Sequence, residues 1–338
     1  GILGTGKIAQ DFARSLSLVG EATIVAVGSR SKESAVRFGQ TLNLTDSQCY
    51  ESYESLAKAD GIDLIYVASP HSFHYEHVIL CLNNNKNVIC EKALALSSVQ
   101  VEAMIKLARE KNLFLMEAFW TRYNPLYVYL RDEILPKIGP VHLARAAFGF
   151  ENPGVPRLTE PELGGGAILD IGVYSVNFCS IAFQDKEVKQ IIAQGNVDEN
   201  HIDHEISATL VFDNDGQKGF GQIFCSIEAD TPSEALIVGK NGSVKVHDPF
   251  WCATKVTIKM KGEEEFVKEF NLPNCDDNDK YNFTNSVLLH HEARYACQQI
   301  LKGNKESEVF GLDDSLRIMK ILDEIRNQLG VSYPNEGI

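Results

Sequence analysis

The sequence predicts two domains of different class. Residues 1–120 read as an α/β domain built on a doubly wound parallel sheet. Residues 121–338 read as an α+β domain with a large, mostly antiparallel open sheet. Three observations support this. Up to about Phe119, short apolar runs alternate with helical patterns, as in parallel strands wrapped by helices. From Val141 onward the runs lengthen, follow one another directly and are joined by turn residues. Between the two regimes Pro136 and Gly139-Pro140 break the pattern. A chain of 338 residues is long enough for two cores of ordinary size.

The bulk numbers exclude some partners. A hydrophobic share of 44% and a charged share of 23% fit a globular protein. The formal charge of −14 argues against nucleic acid or an anionic membrane surface as partner. No run reaches bilayer-spanning length, so no membrane partner is expected. The eight cysteines form no CxxC and no Cys/His cluster, and Cys81, Cys90, Cys179 and Cys225 sit in apolar runs. They read as free thiols in a reduced, cytoplasmic setting. The sequons at Asn43, Asn241 and Asn282 read as chance matches, because no basic-then-apolar signal segment is found ahead of the first domain. There is no internal repeat and no low-complexity segment.

Gly1-Ile2-Leu3 reads as the end of a first strand. The turn Gly4-Thr5-Gly6-Lys7-Ile8-Ala9 follows and opens a helix to about Val19, stopped by Gly20. Such a G-x-G-x-x-A turn lets backbone N–H groups of Gly4, Thr5, Gly6, Lys7 and Ile8 approach a pyrophosphate. Alone it fits a plain strand-to-helix turn equally well; its place at the head of a βα repeat favours the nucleotide. The second strand, Thr23 to Val27, ends at Gly28-Ser29-Arg30-Ser31. An NAD site usually carries Asp or Glu near this point, whereas hydroxyls and a guanidinium suit a 2′-phosphate, so Ser29 and Arg30 predict NADP(H). The alternative is a solvated Arg30.

Further strands are expected at Leu64 to Ala68, Asn87 to Cys90 and Phe114 to Phe119, with helices near 31–41, 52–58, 74–84 and 97–111. The last of these helices opens on a capping-box pattern, Ser97-Ser98-Val99-Gln100. Ligands of such Rossmann-type sheets bind beyond the carboxyl ends of the strands. That makes Ser69, Pro70, His71, His74, Glu91 and Lys92 cofactor candidates. The two histidines equally fit surface imidazoles. Lys92, directly after an apolar strand, faces the mouth of the crevice.

In the second half an amphipathic helix is expected around Leu126–Leu135. Strands are expected at 141–150, 188–197, 205–214, 218–229, 234–248 and 252–260, with hairpin turns at Asp213-Asn214-Asp215-Gly216 and Asn241-Gly242. Glu263-Glu264-Glu265 and Asp276-Asp277-Asn278-Asp279 read as solvated strand and loop surface. Two helices finish the chain, the last from about Leu312 to Leu329 with an apolar stripe and Gly330 as its stop. It is placed in the second domain but is able to pack back on the first.

The stretch Gly164-Gly165-Gly166-Ala167-Ile168-Leu169-Asp170-Ile171-Gly172-Val173-Tyr174-Ser175-Val176-Asn177 begins a helix over 168–183. Asp170, Tyr174 and Asn177 stand at i, i+4 and i+7, a polar stripe that needs partners or a ligand if buried. A surface stripe, or a tyrosine hydroxyl paired with backbone, is the plainer reading. Together with Lys92 these residues supply the parts for hydride transfer. Tyr174 can take an alcohol proton if its pKa, about 10 in water, is lowered by a cation such as Lys92. Lys92 can also steady the alcohol oxygen, and Asp170 can orient either residue.

The glycine turn Gly4–Ala9, Cys90-Glu91-Lys92 and the run Gly164–Tyr174 resemble the Gfo/Idh/MocA oxidoreductases. Most members carry histidine where this chain has Tyr174. The tyrosine, with Leu113–Arg122 and Arg326-Asn327-Gln328-Leu329-Gly330, is similar to the dimeric dihydrodiol dehydrogenase branch of that family. The resemblance implies oxidation of trans-dihydrodiols of aromatic hydrocarbons and of D-xylose with NADP(H), and a homodimer formed through the large sheets. It also implies Arg122 near the cofactor and Asn177 near the substrate hydroxyls. Trp120, Phe148 and Trp251 are candidates for an apolar substrate wall, though each also fits plain core. Ala93 replaces the proline that usually follows the family lysine, which leaves Lys92 less rigidly aimed.

Other readings are another sugar or polyol dehydrogenase, a carbonyl reductase with the same machinery, or a regulator that senses NADP(H) without turnover. A short-chain dehydrogenase is disfavoured, since none of the eleven tyrosines has lysine four residues on. No metal is expected, because His290-His291-Glu292 lacks the spacing that puts ligands on one helix face.

Overall fold

The computed structural model describes residues 1–152, 154–214, 216–273 and 280–337. Their contacts divide the chain into two compact units. The first is Gly1–Ala95, Val99–Tyr123 and Leu272–Leu316; the second is Leu96–Ser98, Asn124–Asn271 and Arg317–Ile338. Asp215 of the first expected hairpin turn, Cys275 and the acidic run 276–279 lie outside the described residues.

The first unit holds a six-stranded sheet: β1 (Ile2–Leu3), β2 (Val27–Gly28), β3 (Cys49–Tyr50), β4 (Leu64–Val67), β5 (Asn87–Glu91) and β6 (Leu115–Ala118). Its order is β3-β2-β1-β4-β5-β6, and every pair is parallel. The connecting helices are α1 (Lys7–Ser15), α2 (Lys32–Thr41), α3 (Tyr53–Lys58), α4 (His74–Asn83) and α5 (Ser98–Glu110). β1 pairs with β2 on one side and β4 on the other, so strand order reverses at β1. That reversal opens the crevice of a doubly wound sheet. β3 was not anticipated, because two residues show no periodicity.

The second unit holds β7 (Val141–Gly149), β8 (Val188–Val197), β9 (Asp203–Asn214), β10 (Gln217–Ser226), β11 (Ala235–Gly239), β12 (Gly242–Val246), β13 (Lys255–Met260) and β14 (Phe266–Glu269). They form one sheet in the order β14-β13-β12-β11-β7-β10-β9-β8. It is antiparallel except between β7 and β10, which pair in parallel from Leu143 opposite Phe220 to Gly149 opposite Ser226. The run 234–248 is the hairpin β11–β12, with Gly239 opposite Gly242, as the turn expected at Asn241-Gly242 requires. The helix expected around Leu126–Leu135 covers 125–138 and includes a π turn at Leu130–Ile134.

The helix expected over 168–183 differs in two ways. It opens with a π turn, Ile168–Gly172, before the α-helix Val173–Ala182, and every residue of both segments is buried. Burial removes the surface-stripe reading. The run Pro161–Ala182 is also long and apolar enough to cross a membrane, contrary to the expectation that no run is, but from Gly164 onward it is buried in the fold. A helix apolar on all sides is one that packs on all sides. It lies against β7 and β10, where a side chain at Gly221 would stand 3.1 Å from Cys179 Cβ. The alternate residues therefore point to the opposite face, where Phe220 is 42% and Ile192 52% exposed.

Glu117, at the end of the first unit's sheet, is buried and its Oε1 accepts the Leu94 N–H at 3.0 Å. Burial pushes its carboxyl up from 4.5 to about 7. The folded chain thus keeps a proton that the unfolded chain releases, so this group's contribution to stability falls as pH rises from about 4.5 to about 7. Glu117→Gln should shrink the drop in unfolding free energy between about pH 5 and about pH 8, measured by urea titration, by about 1–3 kcal/mol. An unchanged drop would show that the carboxyl is already ionised in the fold.

Candidate active site

The glycine turn serves two purposes. Gly4 has φ +107°, and a side chain there would meet the Ala68 carbonyl oxygen at 2.6 Å. Only glycine lets β1 leave the sheet so close to the end of β4. Gly6 is different: it is exposed, and a side chain there would meet nothing within 4 Å. It caps α1 with no side-chain hydrogen bond, and the first turn holds no acidic residue. Thr5 and Ile8 are half-buried, and Lys7 is exposed. The open N–H groups of this helix start fit a diphosphate, with Gly6 leaving room for its approach.

At the end of β2, Ser29 is buried and Arg30 exposed. Arg30's charge acts on the nearby Tyr53 and His77, and no carboxylate pairs with it among the described residues. Ser31 is engaged as the cap of α2, accepting from the Ser34 N–H at 3.2 Å. Beyond β4, Ser69 and Pro70 are half-buried and His71 is buried. His74 is fully buried, with Nδ1 2.8 Å from the Ala93 carbonyl and Nε2 2.8 Å from the Ser69 carbonyl. Burial lowers its pKa to about 4, so the ring is neutral and has one N–H to give to one of these two carbonyls. His74 is not a surface imidazole: it ties the loop after β4 to the loop after β5.

Glu91 ends β5, is buried and accepts a hydrogen bond from the Tyr66 hydroxyl, whose ring stacks on Phe12 at 3.6 Å. Lys92 follows, half-buried, and the Lys92–Ala93 peptide bond is cis. Arg122 and Trp120 are both buried in the first unit, with the Arg122 guanidinium 4.5 Å from the Phe310 ring centroid.

In the second unit the Gly164–Gly166 turn is fixed from several sides. Its N–H groups donate to the carbonyls of Pro161, Glu160 and Leu158 at 3.0–3.1 Å. Gly166 has φ +120°, and a side chain there would lie 2.2 Å from Asp203 Oδ1. Asp203 is fully buried; its Oδ2 accepts the Ile168 N–H at 2.7 Å, which caps the start of the helix that carries Tyr174. Burial pushes the Asp203 carboxyl up to about 7. Asp170 accepts a hydrogen bond from Arg157 at 2.6 Å.

Phe148, Tyr174 and Trp251 come together. Phe148 and Trp251 stack at 3.5 Å with an interplanar angle of 7°, and the Tyr174 ring lies 6.1 Å from Phe148 and 6.3 Å from Trp251. Asn177 is fully buried on the same helix. A phenol held among aromatic faces is suited to an apolar ring bearing hydroxyls. Sequence reasoning missed Asp203 and Arg157. Both lie outside any motif, and only their contacts with residues 168 and 170 mark them.

Both halves of the chain match known oxidoreductases. Residues 1–119 match the oxidoreductase family with NAD-binding Rossmann fold, and residues 136–245 match the GFO/IDH/MocA C-terminal domain. The chain is 39% identical over 337 residues to trans-1,2-dihydrobenzene-1,2-diol dehydrogenase of Xenopus tropicalis, covering 99% of this chain and 98% of the relative. It is 34% identical over 339 residues to the human protein of the same name, with the same coverage. In structure it is similar to aldose-aldose oxidoreductase from Caulobacter crescentus, with TM-score 0.83, 20% identity and 97% of each chain covered. A 3-ketoreductase from Actinomadura kijaniata solved with NADP and TDP-benzene gives TM-score 0.80 at 23% identity, over 97% of this chain and 96% of that one. Fold and turn define an oxidoreductase with a nicotinamide-dinucleotide domain. The chain belongs to the Gfo/Idh/MocA family.

The two glycines separate ligand from fold. Gly6→Ala should leave the melting temperature unchanged and weaken dinucleotide binding, measured by calorimetry, at least about tenfold. Gly166→Ala should instead destabilise the fold by about 2–4 kcal/mol in urea, through strain and the clash with Asp203.

Proposed function

We propose that the chain is an NADP-dependent dehydrogenase that oxidises trans-dihydrodiols of aromatic hydrocarbons and aldopentoses such as D-xylose, with Lys92 and Tyr174 assisting proton transfer. The observation that carries this reading is the buried phenol of Tyr174 packed beside the Phe148–Trp251 stack. It joins a proton acceptor to an apolar wall, as an aromatic diol requires. The names of the relatives agree with it.

Each residue has a role in this account. Tyr174 receives the hydroxyl proton of the substrate alcohol. Lys92 steadies the oxygen as charge develops on it and favours the ionised phenol. Asp170, held by Arg157, orients the tyrosine. The open helix start at Gly6 binds the diphosphate of the cofactor, and Arg30 takes its 2′-phosphate. When bound, the nicotinamide supplies the hydride acceptor.

The exposed Phe220 and Ile192 support a homodimer formed through the open face of the large sheet; a single-chain mass by light scattering would exclude it. Cys49, Cys81, Cys90, Cys179, Cys225 and Cys297 are buried thiols, which fits a reducing cytoplasm. Imaging of a tagged chain decides that location.

Turnover with NADP+ should exceed turnover with NAD+, and Arg30→Ala should cut kcat/KM for NADP+ about 10–100-fold while sparing NAD+. A wild-type preference for NAD+ would end the 2′-phosphate assignment. With a trans-dihydrodiol or D-xylose and saturating NADP+, Tyr174→Phe should lower kcat about 10²–10⁴-fold. Full activity in that variant would remove the tyrosine from the chemistry.

A further inference from the structure

The closing residues of the second unit reach back to the turn before the Tyr174 helix. Tyr333, 4% exposed, donates its hydroxyl hydrogen bond to the Gly165 carbonyl at 2.7 Å. The guanidinium of Arg326 lies 4.9 Å from the centroid of the Tyr333 ring and donates to Glu336 at 2.6 Å, Asp323 at 2.7 Å and the Leu96 carbonyl at 2.8 Å. The same tail receives the Ser97 hydroxyl on the Glu336 carbonyl at 2.6 Å and the Ser98 N–H on Asp323 at 2.8 Å. Tyr333 is thus itself fixed before it fixes the turn.

Two consequences follow from where that hydrogen bond falls. The N–H groups of Gly164–Gly166 hold residues 158–161, directly after Arg157, whose guanidinium pairs with Asp170. On the far side of the turn the chain enters the π turn that carries Asp170 and then the helix that carries Tyr174. Moving Gly165 therefore moves both the partner of Asp170 and the helix start held by Asp203. Buried backbone carbonyls need partners, but most find them in backbone; here a tyrosine from 168 positions away supplies one.

We propose that Tyr333 is a positioning residue for proton transfer at Tyr174: through Gly165 it sets the geometry of the Arg157–Asp170 pair and of the helix on which the phenol rides. The proposal rests on the catalytic reading of Tyr174, and its test separates the two.

Tyr333→Phe keeps the ring under Arg326 and removes only the hydroxyl. With NADP+ and a trans-dihydrodiol it should lower kcat about three- to tenfold, leave KM for NADP+ unchanged and displace the kcat pH profile. In a Tyr174→Phe background the same change should have no further effect on kcat. A lower melting temperature with wild-type kcat and pH profile, or an equal kcat loss in both backgrounds, would overturn the proposal. A second measurement needs no turnover. The ionisation of Tyr174 is read by tyrosinate absorbance as the difference between chains with and without Tyr174→Phe, and Tyr333→Phe should shift that titration. If Tyr174→Phe keeps full activity yet the titration shifts, the catalytic reading fails and the positioning stands. Coincident titration curves defeat the positioning itself.

Discussion

The first N–H groups of a helix have no partner within it, and this fold answers that requirement in two opposite ways. At α1 the helix start is left open: Gly6 offers no side-chain cap, no acidic residue sits in the first turn and the space above it is clear. At the Tyr174 helix the start is sealed by the buried carboxyl of Asp203, around which Gly166 has no room for a side chain. The first start is open, and the second is closed from within the chain.

The buried acids give the molecule an internal electrostatic grain. Glu117 and Asp203 are both raised to about 7 by burial, and burial together with Glu91's charge raises Glu292 as well. For Glu117 and Asp203 the loss of water outweighs the nearby charges of Arg122 and Arg326, so each prefers to stay protonated. Asp170 differs, having the Arg157 guanidinium within hydrogen-bond distance. Glu117, Asp203 and Glu292 instead remain neutral through much of the acidic range.

The parts of the fold written in local pattern were legible in the sequence. The βα alternation, the glycine turn, the strand end before Lys92 and the last helix, Leu312–Leu329, all rest on apolar periodicity or on a turn that only certain residues can make. The grouping of Phe148, Tyr174 and Trp251 came from candidates named one by one, and no spacing predicts that they touch. The π turn at Ile168–Gly172 was hidden because the i, i+4, i+7 pattern fits an α-helix equally well. Asp203, Arg157 and Tyr333 were invisible because their partners lie 35, 13 and 168 residues away. Hydrogen bonds of that reach leave no periodic trace.

The parallel pairing of β7 with β10 affects the order in which the second unit assembles. Hairpins such as β9–β10 and β11–β12 close short loops and form from neighbours in the chain, but the central strand must wait until β10 has been synthesised and brought back alongside it. Until then β7, the spine of the sheet, has both edges bare. A bare strand edge of that kind is a template for pairing with another chain.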